Sequence, residues 1–264
     1  MMRLNTHRKR DEFLRERIAI LPEINAVREM LPGVHDTVYL NTGTCGPLPT
    51  VAYQAMEEEL KRDLTKARID SSHFPTLIAT RAQVRETVAK VVGAEPAEIA
   101  VTASTTDGMY AAIIGYRWQP GDELLITNLE HPGGLVPSFL AKRRSGVRVR
   151  VVDLGLGGGE ASEIVQKFEQ AITSRTRMIV LSHVSYTTGA MLPLKEIVQL
   201  AHAHDVLVVA DAAQSYGAMK LDLHDIGVDA YAFAGQKWMC GPDGTGGLFI
   251  RADRVGDFEQ TFVS

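Results

Sequence analysis

The chain has 264 residues, of which 45% are hydrophobic and 23% charged, with a formal net charge of −4. This composition predicts a soluble globular protein with a sizeable core and excludes a disordered or fibrous chain. The negative balance gives no general attraction to nucleic acid or anionic lipid, so we expect neither as a partner. No apolar run reaches the ~20 residues of a membrane-spanning helix. Mixed charge follows the basic N-terminus where a signal peptide would be apolar, which indicates a cytoplasmic protein.

The side chains that most often ligate metals are few and scattered. Two cysteines, Cys45 and Cys240, are too few for a disulfide framework or a zinc site, and we expect both to be reduced. His202 and His204 are two positions apart on a predicted helix and therefore do not share a face. We interpret them as a solvated helix end and predict no metal site.

The chain before the first predicted strand is mostly helical. We divide the whole chain into an N-terminal helical segment, residues 1–38, and a large domain that begins at residue 39 and runs to residue 264. Within residues 8–17 basic and acidic side chains alternate, which is typical of a solvated helix. Residues 41–49 contain four glycines or prolines in nine positions and predict a fixed, irregular loop.

From residue 99 onward, short runs rich in apolar and β-branched residues alternate with helical stretches. The predicted strands are Ile99–Thr102, Glu123–Thr127, Val147–Val152, Met178–Ser182, Leu207–Asp211, Ala230–Ala234 and Gly247–Ile250. The predicted helices between them are Gly108–Tyr116, Leu135–Arg144, Glu160–Ile172 and Leu194–His204. Runs that are apolar on both faces belong to strands covered on each side. The alternation therefore predicts an α/β fold with a mostly parallel seven-stranded sheet between helices, whose ligand lies beyond the carboxyl ends of the strands.

Polar residues follow two of the predicted strands. Thr105 and Thr106 stand where a helix begins, and hydroxyls beside free backbone N–H groups at a helix N-terminus can bind an anion. The same pattern also fits a simple N-cap. His131 stands at the next strand end, where an imidazole can lie against a planar ligand, although a surface histidine fits the position as well.

Two charged residues end apolar strands further along the chain. Asp211 is costly to bury unless it meets a donor or a cation such as a protonated ring nitrogen, and its alternative role is to cap the following turn. Lys237 precedes a glycine-rich turn and has little room to reach water. Partial desolvation favours the neutral, nucleophilic amine. A nicotinamide enzyme is disfavoured because no Gly-x-Gly-x-x-Gly follows the first strand.

Six segments in order resemble the large domain of the class V aminotransferase superfamily, the fold-type I pyridoxal-phosphate (PLP) enzymes that include cysteine desulfurases and isopenicillin N epimerase. These are Tyr-Leu-Asn-Thr-Gly-Thr (39–44), Ser-Thr-Thr-Asp-Gly (104–108), Glu-His-Pro-Gly (130–133), His-Val-Ser-Tyr-Thr-Thr-Gly (183–189), Asp-Ala-Ala-Gln (211–214) and Gly-Gln-Lys-Trp (235–238). The sequences Val-Ser-Tyr-Thr-Thr-Gly and Gln-Lys-Trp-Met-Cys-Gly-Pro are most similar to the epimerase branch.

The resemblance implies a role for each residue of the cofactor site. Lys237 becomes the Schiff-base lysine and moves the substrate's α-proton. Asp211 keeps the pyridine nitrogen protonated so that the ring can accept electrons. Gln214 binds the ring's 3-oxygen and His131 stacks on the ring.

The remaining implied roles concern the phosphate and the substrate. Thr105 and Thr106 bind the phosphate, and Asn41 and Thr42 border the substrate. Tyr186 belongs to the substrate side, at a position where cysteine desulfurases typically have asparagine.

The implied function is PLP-dependent chemistry at the α-carbon of an amino acid, namely epimerisation, transamination or C–S cleavage, in a homodimer. Relatives continue for about another domain, which usually supplies the arginine for the substrate carboxylate. We expect this C-terminal small domain to be absent from the chain. The alternatives are a truncated or degenerate PLP-binding protein without turnover, or a cysteine desulfurase.

Overall fold

The computed structural model describes residues 24–66, 68–69 and 71–262. The solvated helix expected within residues 8–17 lies outside these ranges. The described part begins with α1 (Ile24–Glu29) and a 3₁₀ turn at Pro32–Val34. An irregular segment that includes residues 41–49 then leads into α2 (Thr50–Lys66) and α3 (His73–Val92). The predictions of a helical lead-in and an irregular loop are thus confirmed for this part of the chain.

The described residues form a seven-stranded sheet with the order β1-β7-β6-β5-β4-β2-β3. The strands are β1 (Ile99–Thr102), β2 (Glu123–Thr127), β3 (Arg148–Val152), β4 (Thr176–Ser182), β5 (Leu207–Asp211), β6 (Ala230–Ala234) and β7 (Gly246–Ile250). β7 pairs antiparallel with β1 and β6, and the pairs from β6 to β3 are parallel. The prediction of a mostly parallel α/β sheet is confirmed.

Helices cover both faces of this sheet. They are α4 (Thr105–Gly115), α5 (Pro132–Ser145), α6 (Ala161–Ala171), α7 (Leu194–Ala203) and the short α8 (Leu223–Ile226). Two further 3₁₀ turns, Pro96–Glu98 and Ala252–Asp257, flank the first and last strands. In the described part of the chain, no helix combines the length and apolar character needed to cross a membrane.

Two apolar layers hold the helices on the sheet. On one face, Met109 and Ile113 of α4 pack with Val180 and Val209 of the central strands. On the other face, α6 and α7 pack with the alternate residues of the same strands. All five residues of β5 are buried as a result. Two-sided burial explains why this strand reads as an unbroken apolar run that ends on a single acid.

The parallel pairing brings the ends of several strands to one edge of the sheet. Thr127, Ser182, Asp211 and Ala234 are the last residues of β2, β4, β5 and β6. Ser182 is the direct register partner of Asp211, so their side chains point to the same face. The segments that follow these strands carry His131, Tyr186, Gln214 and Lys237, and Asp211 itself ends β5.

The interpretation of His202 as a solvated helix end was wrong. Its Nε2 lies 2.9 Å from Oδ2 of Asp229, which also accepts a 2.7 Å hydrogen bond from the backbone N–H of Val208. Arg251 approaches Oδ1 of the same carboxylate at 3.1 Å. A fully buried carboxylate requires such donors, and helical spacing alone does not reveal a partner 27 residues away.

Gly108 sets how closely α4 approaches the sheet. A Cβ at this position would lie 2.8 Å from the Cβ of Ala232 on β6. Glycine-to-alanine changes ordinarily stabilise a helix interior by about 1 kcal/mol. We expect Gly108→Ala to lower the free energy of unfolding by about 1–3 kcal/mol instead, because the helix must move off the strand. Urea denaturation measures this difference.

Gly256→Ala is the matched control for this prediction, since nothing lies within 4 Å of a Cβ at that position. An unchanged or increased stability of Gly108→Ala would contradict the close approach of α4 to β6.

Candidate functional site

Asp211 is the buried acid at the centre of the site edge. Its side chain is 4% exposed, and Oδ1 accepts a 2.9 Å hydrogen bond from the backbone N–H of Ala213. Oδ2 accepts no hydrogen bond from the described residues. Burial raises the pKa of Asp211, while the Ala213 hydrogen bond and the electrostatic interactions with Lys237 and His131 lower it. Asp211 therefore combines both roles weighed for it, a cap of the following turn and an acceptor with one oxygen free.

Lys237 lies in a tightly folded turn after β6. The backbone N–H of Gly241 bonds to the carbonyl of Gly235 at 2.8 Å, and that of Cys240 bonds to the carbonyl of Lys237 at 2.9 Å. Cys240 adopts a left-handed conformation with φ of 55°, which is uncommon outside glycine, asparagine and aspartate. These bonds fix the backbone that carries Lys237, whose side chain is half-buried.

The N-terminus of α4 carries an unpaired buried hydroxyl. Ser104 is the N-cap, and its Oγ accepts a 3.1 Å hydrogen bond from the N–H of Asp107. Oγ1 of Thr105 is buried and has no hydrogen-bond partner among the described residues. The first N–H groups of the helix also lack partners inside it. The segment is therefore a cap and, in addition, presents unsatisfied donors for an anion.

His131 is held in a fixed orientation. It is the N-cap of α5, and its Nδ1 accepts a 3.0 Å hydrogen bond from the N–H of Gly133. In the neutral ring the proton is therefore on Nε2. Its ring meets that of Tyr186 edge-on, with centroids 5.0 Å apart. Thr106 is adjacent, because a Cβ at Gly133 would contact both Oγ1 of Thr106 and Nδ1 of His131.

Gln214 already has two partners within the protein. Its Nε2 donates to the carbonyl of Gly43 at 2.9 Å, and its Oε1 accepts a 2.8 Å bond from Nε1 of Trp238. The predicted contact with a ring oxygen must therefore use the second hydrogen of Nε2. Gln214 joins the 41–46 loop to the segment that carries Lys237.

The 41–46 loop sits directly on the lysine turn. The N–H of Gly46 bonds to the carbonyl of Gln236 at 2.7 Å, and a Cβ at Gly46 would collide with the Lys237 carbonyl oxygen. The carbonyl of Asn41 accepts from the N–H groups of Thr44 and Cys45, which closes the loop. Asn41 is exposed and Thr42 half-buried, so their predicted contact with a substrate remains a prediction.

Glu130 is a second buried acid beside Asp211, and sequence reasoning assigned it no role. It is 4% exposed, and its two oxygens accept from the hydroxyls of Thr127 at 2.5 Å and Ser182 at 2.8 Å. Burial, together with the nearby charge of Asp211, raises the pKa of Glu130 to about 7 against the lowering effect of these hydrogen bonds. The signal in the sequence was its position, next to His131 in the Glu-His-Pro-Gly segment.

Some polar residues of the matching segments do not enter the site. His183 turns to the opposite face of the sheet, where Nδ1 lies 2.8 Å from the hydroxyl of Tyr231. Burial lowers the pKa of His183 to about 4, so it is neutral near pH 7. Oε1 of Gln236 is buried without a hydrogen-bond partner among the described residues.

Together the strand ends bring to one edge of an open α/β sheet a buried acid, an amine, an imidazole and a helix N-terminus with an unpaired hydroxyl. The chain matches the family model described as Aminotransferase class-V over residues 38–264. The chain belongs to this family.

Two curated relatives give the range of named activities. The chain is 35% identical over 242 residues to a probable cysteine desulfurase of Methanothermobacter thermautotrophicus, covering 90% of this chain and 58% of the relative. It is 31% identical over 229 residues to isopenicillin N epimerase of Streptomyces clavuligerus, covering 86% and 56%. The chain thus spans somewhat more than half the length of these relatives.

Solved structures agree with this family. A mutant of C-DES with glycine covalently linked to its PLP cofactor superposes with a TM-score of 0.86 at 32% identity, covering 92% of this chain and 63% of that one. A complex of C-DES, described as a cystine C–S lyase, with cysteine persulfide gives a TM-score of 0.84 at 33% identity, covering 89% and 62%. The fold prediction and the family resemblance are both confirmed.

The raised pKa of Glu130 predicts a pH-dependent stability of the cofactor-free protein. The pKa rises from 4.5 to about 7 on folding, so stability from this group falls as the pH rises between these values. Glu130→Gln stays neutral and lacks this loss. We therefore compare the unfolding free energy of Glu130→Gln with that of the wild type. We expect the difference, variant minus wild type, to be about 2 kcal/mol larger at about pH 8 than at about pH 5. Urea denaturation at both pH values measures this shift, and an equal difference at both would contradict it.

Proposed function

We propose that this chain binds pyridoxal 5′-phosphate at the carboxyl ends of the strands, with Lys237 as the Schiff-base lysine. We propose further that the whole protein is a PLP-dependent enzyme acting at the α-carbon of an amino acid. The single observation that carries the proposal is Asp211, a buried acid with one unbonded oxygen that interacts electrostatically with both Lys237 and His131. This arrangement suits a ligand with a cationic ring nitrogen and a carbonyl carbon open to an amine.

Asp211 is suited to hold the ring-nitrogen proton. The Ala213 N–H fixes one oxygen of the carboxylate, which leaves Oδ2 to accept from the ring. A carboxylate buried without a cation is costly, so a cationic partner relieves that cost. When bound, the cofactor supplies a ring that accepts the electrons released from a bond to the substrate's α-carbon.

The N-terminus of α4 is suited to hold the phosphate. The Thr105 hydroxyl is buried and unpaired among the described residues, and the helix dipole places partial positive charge beside it. Thr106 adds a hydroxyl adjacent to His131.

Lys237 and His131 are suited to proton transfer and to ring placement. The turn bonded through Gly235 and Gly241 fixes the Lys237 backbone, so its amine can take a proton from the α-carbon and return it. The Gly133 N–H orients the His131 ring, which can then lie against the cofactor's face. Tyr186, in edge contact with His131, and the Asn41 and Thr42 loop border the substrate in this proposal.

The names of the relatives support two kinds of bond cleavage. One is named a probable cysteine desulfurase, and the solved C-DES is a cystine C–S lyase, which supports C–S cleavage. Another is isopenicillin N epimerase, which supports removal and return of an α-proton. Both outcomes require the amine of Lys237 near the α-carbon.

We also propose a homodimer in the cytoplasm. No residue of α2 is buried, and Val51, Tyr53, Leu60 and Leu64 of this helix are 53% to 83% exposed. Exposed apolar side chains at this density are typical of an interaction surface.

The free thiols of Cys45 and Cys240 suit a reducing compartment, which supports the cytoplasm as the location.

Reductive trapping tests the assignment of Lys237. We expect added PLP to give a visible absorption band, and borohydride to fix the cofactor to the peptide that contains Lys237, because a Schiff base is reducible and a non-covalent complex is not. Lys237→Ala should lose both the band and the mass increase. Lys195→Ala is the control, since Lys195 pairs with Asp225 at 2.7 Å on the surface. Trapping on another lysine would contradict the proposal.

A second variant separates phosphate binding from stability. Thr105→Val keeps the side-chain shape and removes a buried hydroxyl that has no partner among the described residues. We expect the cofactor-free stability to be maintained or to rise, because an unsatisfied buried group costs about 1–3 kcal/mol. PLP affinity should fall about tenfold, as expected for loss of a hydrogen bond to a charged group.

Pyridoxal, which lacks the phosphate, is the control ligand for Thr105→Val. Its affinity should be the same in the variant and the wild type. An equal loss of affinity for PLP and pyridoxal would show that Thr105 does not face the phosphate.

The second candidate function is PLP binding without turnover. Amino acids added to the PLP-loaded protein distinguish the two functions. A shift of the visible band with cysteine or another amino acid supports the enzyme, and an unchanged band supports the binding protein.

A further inference from the structure

Glu130 is buried near the carboxyl ends of β2 and β4, in a small polar cage. The hydroxyls of Thr127 and Ser182 each donate to one of its oxygens, at 2.5 and 2.8 Å. Oγ1 of Thr127 also accepts a 3.1 Å hydrogen bond from the N–H of Leu129, which leaves its hydrogen for the carboxylate. Two donors aimed at both oxygens favour the ionised form of a carboxyl group.

Apolar side chains pack next to this cage beside Gly134 of α5. A Cβ at Gly134 of α5 would lie 4.0 Å from Oε2 of Glu130 and 3.6 Å from side-chain atoms of both Met109 and Val180. These two residues and Glu130 are at most 4% exposed. The carboxyl group therefore lies between the sheet and the two helices of the site face, where electrostatic interactions are weakly screened.

Asp211 is the ionisable neighbour whose charge raises the pKa of Glu130. Asp211 approaches from β5, since its register partner Ser182 is the residue that holds Glu130. His131 follows Glu130 in the chain, and both His131 and Lys237 interact electrostatically with Asp211. Ser182 of β4 donates to Glu130 and Gly134 of α5 lies beside its Oε2, and neither of these residues is ionisable.

We propose that Glu130 is a positioning residue which, by its negative charge behind Asp211, strengthens the hold of that carboxylate on the protonated ring nitrogen of the cofactor. This inference rests on the proposed PLP function. Two buried carboxylates repel each other, and a cation at Asp211 relieves that repulsion. Ionisation of Glu130 and binding of the cationic ring therefore favour each other, and the coupling is reciprocal.

The charge of Glu130 changes in a pH range that binding experiments can cover. Burial, with a smaller contribution from the charge of Asp211, raises its pKa to about 7. Below this value the neutral acid resembles a glutamine, and above it the wild type gains the second negative charge. The contribution of Glu130 to cofactor affinity should therefore appear as the pH rises through about 7.

The experiment measures the PLP dissociation constants of Glu130→Gln and of the wild type at several pH values. The test is the ratio of the variant's constant to that of the wild type. The ratio removes the pH effects common to both proteins, including those of Lys237 and the phosphate. We expect a ratio near one at about pH 6 that rises to about fivefold or more at about pH 8.5. A ratio that stays constant would overturn the proposal and leave Glu130 a structural residue. Absence of PLP binding by the wild type would instead refute the proposed function.

Glu123→Gln is the matched control at the opposite end of β2. Glu123 is also buried and accepts from the hydroxyl of Thr173 at 2.7 Å and from Arg150 at 3.1 Å. Burial raises its pKa, but these hydrogen bonds outweigh burial and the net pKa is lowered. Glu123 is therefore ionised throughout this range, and its ratio should not vary with pH.

Ser182→Ala provides a second test if Glu130→Gln does not fold. This variant keeps the acid and removes one hydroxyl that favours its ionised form. In the wild type, PLP affinity should rise with pH, and in Ser182→Ala this rise should occur at higher pH. An unshifted profile would overturn the assignment of this pH dependence to Glu130.

Discussion

The burial of one carboxylate, Asp211, determines how the rest of the site is arranged. The acid ends a strand whose five residues are all buried, so water does not solvate it well. The surrounding chain supplies the Ala213 N–H, and electrostatic interactions with Lys237 and His131 lower the pKa of the acid. One oxygen remains unbonded by the described residues. A buried acid with one unbonded oxygen favours a cationic ligand. This property of Asp211 connects the fold to the proposed cofactor.

Close backbone contacts hold the other parts of the site against this acid. Gly108 lets α4 approach β6, and a Cβ at Gly246 would lie 2.8 Å from the backbone of Ser104 at the start of that helix. Gly46 lets the 41–46 loop rest on the Lys237 turn. Gln214 then ties loop and turn together through Gly43 and Trp238. The N-terminus of α4, the Lys237 turn and the 41–46 loop are thus fixed relative to one another before a ligand binds, which limits the ordering that binding requires.

The sequence predicted the sheet well because local patterns determine it. β1, β2, β5 and β6 have the predicted bounds, and β3, β4 and β7 differ by two residues or fewer. The convergence of Thr105, His131, Asp211 and Lys237 followed from parallel topology. Contacts between distant side chains were not predictable in this way: Glu130 with Ser182, 52 residues away, and His202 with Asp229 depend on packing between elements. The internal partners of Gln214 likewise required the position of the 41–46 loop.

The central claim is that Asp211 holds a protonated ring nitrogen, and the nitrogen NMR shift of ring-¹⁵N-labelled PLP bound to the protein measures it directly. We expect a shift typical of a protonated pyridine at neutral pH, and loss of that protonation in Asp211→Ala. A shift typical of an unprotonated ring in the wild type would contradict the account, because the buried carboxylate would then have no cation to hold.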